Sequence, residues 1–226
     1  VIRNIPEFEA LRQRAESCQD CALAGTRTSV VFGVGSLEAS LMFVGEAPGK
    51  NEDLQGEPFV GAAGRLLTEL LGEIGMTREE VYIANVLKCR PPGNRDPRPE
   101  EIDACKGYLR EQIRMIHPRV VMTLGNFATK LLLRTETGIT RLRGRAHQWW
   151  LGAMLVPTFH PAAALRGGPR VAEQMREDFA LVRHLLDEPP APSVSGAAPE
   201  EEPAGVEARQ DAELDPTEQM ELFRTS

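Results

Sequence analysis

The chain has 226 residues, 42% of them hydrophobic, and a formal net charge of -7, enough for one globular domain with a sizeable core and no demand for a second. No apolar run approaches the roughly 20 residues of a membrane span, and the opening, Val1 to Glu16, is charged where a secretory signal would be basic and then apolar; the sequence therefore reads as intracellular, with no membrane partner. The acidity is local: nine acidic and two basic residues lie from Pro189 to Ser226, which leaves 24 of each sign in the rest, with arginines clustered around Lys88 to Arg98 and Arg134 to Arg145, as two basic stretches should be if one face meets phosphates.

Taken in order, Arg3 to Glu16 has helical apolar spacing (Ile5, Phe8, Leu11, Ala15) and leads into a loop at Cys18-Gln19-Asp20-Cys21. The short apolar run Leu41 to Val44, bounded by a glycine turn, predicts a buried strand, and Ala62 to Ile74 a helix stopped by Gly75. Val81 to Leu87 reads as a second strand, and Pro99 to Ile116 as a helix with an acidic first turn. A third strand at Arg119 to Leu124, a helix at Phe127 to Leu133, a fourth strand at Met154 to Phe159 and a last helix from about Arg170 to Leu186 complete the pattern. Strands alternating with helices predict an α/β fold of three layers, a mostly parallel four-stranded sheet covered on both faces.

In such folds ligands sit at the carboxyl ends of strands, and the unusual residues are there. Gly45-Glu46-Ala47-Pro48-Gly49 follows the first strand, Asn85 lies in the second, and His160-Pro161 follows the fourth. Core packing explains apolar strands; it does not explain a carboxylate, an amide and an imidazole at three strand ends. The glycines of the first loop do not make a Walker phosphate loop, because Gly45 and Gly49 enclose three residues instead of four and Asn51, not Ser or Thr, follows Lys50. Gly33-Val34-Gly35 is a lone Gly-x-Gly with no well-defined strand before it.

Four cysteines, Cys18, Cys21, Cys89 and Cys105, provide one Cys-x2-Cys pair and two distant thiols. The inventory fits one four-thiolate metal site, whereas paired disulfides suit a short secreted chain far better. Zinc and a 4Fe-4S cluster both accept four thiolates, and spacing does not choose between them.

Together, the stretches GEAPGKNEDLQGEPFVGAAGRLL, YIANVLKCRPPGNRDP and TFHPAAALR, with the four cysteines, closely resemble the family-4 uracil-DNA glycosylases, an iron-sulfur branch of that superfamily, over roughly Cys18 to Phe179. The resemblance implies a parallel sheet flanked by helices, a structural 4Fe-4S cluster on Cys18, Cys21, Cys89 and Cys105, and excision of uracil from DNA. Gly45, Glu46, Ala47, Phe59, Asn85 and His160 would then form the uracil pocket. The Asn85 amide offers a donor and an acceptor side by side, complementary to uracil O4 and N3–H and mismatched to cytosine. Phe59, in a glycine-rich block and read as exposed in its loop, would be the stacking platform. His160 would donate to uracil O2 as charge develops there, and Glu46 would order the attacking water. Leu165 would fill the space left by the extruded nucleotide while Arg166, Lys88, Arg90 and Arg95 contact phosphates.

One departure stands out. The best-known uracil glycosylases read Gly-Gln-Asp-Pro-Tyr in the first loop; this chain has Ala47 at the aspartate position and Gly49 at the tyrosine, so water handling and exclusion of thymine fall to other residues. A sister group that traps uracil covalently uses a histidine in a basic insertion after the Asn-bearing strand, and Arg90 to Arg98 contains none. A structural metal module without catalysis would leave the three strand ends unexplained.

From Pro189 onward, the proline, alanine and glutamate content predicts a disordered acidic linker after a catalytic domain spanning 1–188. Its end, Gln219-Met220-Glu221-Leu222-Phe223, resembles the peptide by which bacterial repair proteins dock on the sliding clamp. The expected picture is a monomeric bacterial cytoplasmic enzyme that associates with the nucleoid when acting.

Overall fold

The computed structural model describes residues 5–189. The predicted tail and its clamp-like residues Gln219, Met220, Leu222 and Phe223 lie outside the described residues. Helix α1 (Ile5–Glu16) is followed by β1 (Val34–Gly35), β2 (Leu41–Gly45), α2 (Lys50–Gln55), α3 (Ala62–Glu73), β3 (Tyr82–Asn85) and α4 (Pro99–Ile116). Then come β4 (Val120–Leu124), α5 (Asn126–Leu133), α6 (Ile139–Leu142), β5 (His147–Gln148), β6 (Met154–Thr158), α7 (Pro161–Gly167) and α8 (Pro169–Asp187).

The sheet runs β1-β3-β2-β4-β6-β5, with β3, β2, β4 and β6 parallel. These are the four predicted strands. The two-residue edges β1 and β5 are antiparallel additions, so the sheet is mixed and six-stranded. Segments of two residues carry no periodicity from which they could be read.

Alternation along the strands builds two cores. Met42, Val44, Tyr82 and Ala84 face one side, packed under α1, α4 and α5 by Phe8, Leu11, Leu109, Ile113 and Leu132. Leu41, Phe43, Ile83 and Met122 face the other, against Leu67 and Leu70 of α3 and Met175 and Phe179 of α8. Because helices cover both faces, the strands are apolar throughout, which is why they read as unbroken runs.

Helix starts and stops follow local chemistry. Pro99 opens α4 where its missing N–H costs nothing, Glu101 Oε2 accepts the Arg98 N–H at 2.9 Å, and His117 ends the helix in the left-handed region. Asp178 of α8 joins both the residue after α6 and the last residue of β6. Arg143 Nη2 lies 2.7 Å from Asp178 Oδ1, while Thr158 Oγ1 donates to Asp178 Oδ2 at 2.6 Å. Arg143, one of the basic cluster read as a phosphate-facing surface, is thus an internal counter-ion.

Candidate active site

The carboxyl ends of β2, β3 and β6 bring the predicted pocket residues together. Gly45 and Asn85 are direct partners on β2 and β3. The pairing continues past the strand, with Val86 N–H donating to Gly45 O at 2.9 Å and Leu87 N–H to Glu46 O at 3.0 Å, so the two residues after Asn85 stay paired to the β2 side. A β-carbon on Gly45 would stand 2.3 Å from Asn85 Oδ1 and 2.8 Å from the Phe59 ring. Only glycine lets the amide and the aromatic approach this point from two sides.

Phe59 is 7% exposed, a correction to its reading as an exposed loop residue: burial between the end of β2 and α3 keeps its ring in place. Its backbone is left-handed (φ 55°), an unfavourable conformation for a bulky side chain. Two features hold it there. Arg78 Nη2 donates to Pro58 O at 3.0 Å, and Gly64 leaves room for the Phe59 carbonyl, which a β-carbon would meet at 1.6 Å. The ring centroids of Phe59 and His160 are 5.6 Å apart and tilted by 31°.

His160 caps α7 with an unusual group: its Nδ1 accepts the Ala162 N–H at 3.1 Å. The neutral ring therefore carries its proton on Nε2, leaving that atom as a donor. Burial, then the Arg166 guanidinium, pull the imidazole below its ordinary value, opposed by Glu52. Gly125, with φ 98°, ends β4 beside it, and a β-carbon there would lie 3.0 Å from His160 Cβ.

Glu46 is half-buried, and burial together with Asp96 raises its carboxyl above the usual range. Glu46, Ala47, Asp96, Gly125, His160 and Arg166 line one cleft of about 950 Å³. Asn85, 2% exposed, is not among the residues that line it, and Phe59 lines a separate, smaller cavity of about 410 Å³.

Three further residues were not legible as site residues. Asp96, with Asn94, lines the same cleft as Glu46 and acts on its carboxyl through space. Glu52 accepts the N–H groups of Val60 (3.2 Å) and Gly61 (3.4 Å) at the start of α3, and its Oε2 lies 2.6 Å from where a Gly49 β-carbon would be. Gly125 had one available signal, a glycine directly after a strand.

The predicted phosphate contacts divide. Leu165 is 53% exposed and Arg166 is exposed beside the cleft. Arg90 Nε donates to Asn94 Oδ1 at 2.7 Å, and Arg95 is paired with Glu101. Lys88 is a correction: it is 1% exposed, its Nζ donating to Asn85 O at 2.9 Å and to Gln112 Oε1 at 2.6 Å. An amine sealed in the core cannot reach a phosphate.

The four cysteines lie in one region of the molecule. Cys89 and Cys105 are buried, Cys18 and Cys21 half-buried, and all four are free thiols. The Cys89 sulfur lies in the field of Cys21 and Cys18, and that of Cys105 in the field of Cys89 and Cys21. Burial pushes the Cys105 thiol up to about 12, so it keeps its proton unless a cation takes the proton's place. Arg27 Nη1 donates to Cys89 Sγ and Lys88 N–H to Cys105 Sγ, each at 3.5 Å, the sulfur hydrogen bonding that tunes thiolate-held clusters. Among the described residues no three His, Cys, Asp or Glu side chains close on a common point. The donor set, four soft sulfurs with N–H groups aimed at two of them, nonetheless fits a thiolate-ligated centre.

Comparison with known proteins places the chain in a family. A family model described as the uracil DNA glycosylase superfamily matches residues 32–181. A type-4 uracil-DNA glycosylase of Archaeoglobus fulgidus is 47% identical over 176 residues, 75% of this chain and 88% of that protein. Relatives of the same name from Sulfurisphaera tokodaii (45% over 190 residues, 80% and 86%) and Thermotoga maritima (48% over 160 residues, 70% and 83%) are similar. With Gly45, Asn85, Phe59 and His160 converging at the strand ends, the chain belongs to the uracil DNA glycosylase superfamily.

Proposed function

We infer that the protein is a uracil-DNA glycosylase: it extrudes uracil from DNA and hydrolyses its N-glycosidic bond, leaving an abasic site for base-excision repair. The observation that carries this reading is the cross-strand seat in which Gly45 admits both the Asn85 amide and the Phe59 ring, beside an imidazole whose free nitrogen is a donor. Extrusion costs a few kcal/mol of unstacking. Stacking on Phe59 returns roughly 1 to 3 kcal/mol, and Leu165 fills the vacated place in the duplex.

Asn85 reads O4 and N3–H of the extruded base; cytosine would leave the buried amide mispaired. Glu46 takes a proton from the attacking water as its oxygen bonds to C1′ and the C1′–N1 bond breaks. The bonding electron pair leaves on uracil, and His160 Nε2–H donates to O2 as negative charge collects there, a contribution of about 3 kcal/mol for one such donor. A neutral histidine does this without protonating the leaving group. Glu52 occupies the space that Gly49 leaves, and is assigned as the wall against a 5-methyl group.

Cys18, Cys21, Cys89 and Cys105 would hold a 4Fe-4S cluster, which when bound supplies a crosslink among these segments and takes no part in bond cleavage. Residues 1–188 form the catalytic unit, acting as a monomer in the bacterial cytoplasm. The acidic tail would tether Gln219, Met220, Leu222 and Phe223 to the sliding clamp, raising the local concentration of enzyme near DNA. A pull-down with the clamp tests this; equal capture of wild type and a Leu222→Ala, Phe223→Ala double variant would end that reading.

The activity is tested by incubating the protein with a uracil-containing oligonucleotide and then cleaving abasic sites with alkali. Strand breaks are expected. A denaturation-resistant adduct would instead mean covalent trapping, and an intact strand would mean neither.

A further inference from the structure

We propose that Lys88 is a positioning residue for the base-reading amide, acting through a buried hydrogen-bonded frame and not through DNA phosphates. This rests on the reading of Asn85 as the uracil-recognising group. β1 pairs with β3 only at Tyr82 and Ile83, so at the strand's end the Asn85 carbonyl is held by a side chain, Lys88 Nζ at 2.9 Å. Lys88 Nζ is held in turn by Gln112 Oε1 at 2.6 Å. Gln112, fully buried on α4, spends its two amide protons on Phe32 O at 2.8 Å and Tyr82 Oη at 3.1 Å.

The frame is closed on its other sides. Lys88 O accepts the Val31 N–H at 2.8 Å, Lys88 N–H donates to Cys105 Sγ, and the Phe32 ring lies 5.9 Å from Nζ. Every polar atom thus ties the backbone of the reading strand to α4 or to the segment before β1. A polar amine in a core is a poor way to gain stability, since an apolar side chain of similar volume fills the same space without desolvating it. What the lysine does that Met or Leu cannot is fix where the Asn85 backbone, and with it the amide, sits. A misplacement of about 1 Å at such a group can cost on the order of a hundredfold in rate.

The test compares wild type with Lys88→Met in three measurements: single-turnover excision of uracil from a duplex, inhibition by free uracil, and the salt dependence of binding to a uracil-free duplex. Lys88→Met should slow excision about tenfold or more and weaken inhibition by free uracil to a similar degree. Affinity for uracil-free DNA and its salt slope should not change. Lys88→Gln, whose amide can still donate to Asn85 O, should recover part of both losses.

Normal excision and normal inhibition in Lys88→Met would overturn the proposal. So would a salt slope smaller by about 1 with uracil inhibition intact, the signature of a lost phosphate contact. A lower fraction of folded enzyme would depress the rate without moving the inhibition constant, and that outcome also counts against it. If Lys88→Met does not fold, Gln112→Leu takes its place. It removes the anchor of Nζ and should weaken uracil inhibition; unchanged inhibition overturns the proposal. Wild type that leaves uracil-DNA intact would overturn the glycosylase reading itself, an outcome distinct from a silent Lys88 variant.

Discussion

Gly45 and Asn85 face each other across β2 and β3, and one methyl group on Gly45 would stand 2.3 Å from Asn85 Oδ1. In the proposed site the glycine therefore matters although it has no side chain. Gly45→Ala should displace both the amide and the Phe59 ring, lowering uracil excision by at least a hundredfold. The strain should cost about 1 to 3 kcal/mol of stability, as overpacking does. Single-turnover kinetics and urea unfolding measure the two effects; an unchanged rate would show that Asn85 and Phe59 do not act together.

Glu46 and His160 are displaced in opposite directions, Glu46 up from 4.5 chiefly by burial and His160 down from 6.5 chiefly by burial. The proposed mechanism needs Glu46 ionised and His160 neutral. The acid limb of kcat/KM should therefore lie above 4.5 and follow Glu46, with a plateau through neutral pH. Glu46→Gln should be slow and should lose that limb; an identical limb in the variant would exclude Glu46 as its source.

The same shifts have opposite effects on stability. His160, depressed on folding, contributes stability that is present above its unfolded value of 6.5 and lost as pH falls toward its folded value. Glu46, raised on folding, contributes at low pH and loses that contribution as pH rises through its folded value. Removing the imidazole with His160→Gln should flatten the stability profile just below 6.5, as read by thermal unfolding across pH.

The proposed placement of Arg166 has two measurable consequences. Its guanidinium lowers the His160 titration and lines the cleft where a phosphate would approach. Arg166→Gln should raise the His160 titration followed by NMR and reduce the salt slope of DNA binding by about 1. A His160 titration that does not move would remove Arg166 from the electrostatics of the site.

Asp178 is fully buried and joins Arg143 to Thr158, two residues before His160. Asp178→Ala would strand the Arg143 charge, for which buried pairs usually lose about 3 to 5 kcal/mol. The lower end is expected, because Glu177 remains 3.1 Å from Arg143. Denaturant unfolding measures the loss; a change under 1 kcal/mol would mean that the pair is replaced by solvent.

The sequence by itself determined the four parallel strands, the helices that cover them and the residue types at the strand ends. Buried strands and amphipathic helices are written in local apolar periodicity, and Gly45, Glu46, Asn85 and His160 interrupt it. Tertiary structure alone decided what each of those residues meets. Asp96 lies beside Glu46, and Phe59 is folded inward by Arg78 and Gly64. Lys88 shows the difference most clearly, because its place in a basic stretch suggests a phosphate contact while the fold encloses it between Asn85 and Gln112. Charge along a chain is a local property; whether a charge faces water or the core depends on residues 24 and more positions away, which local patterning does not encode.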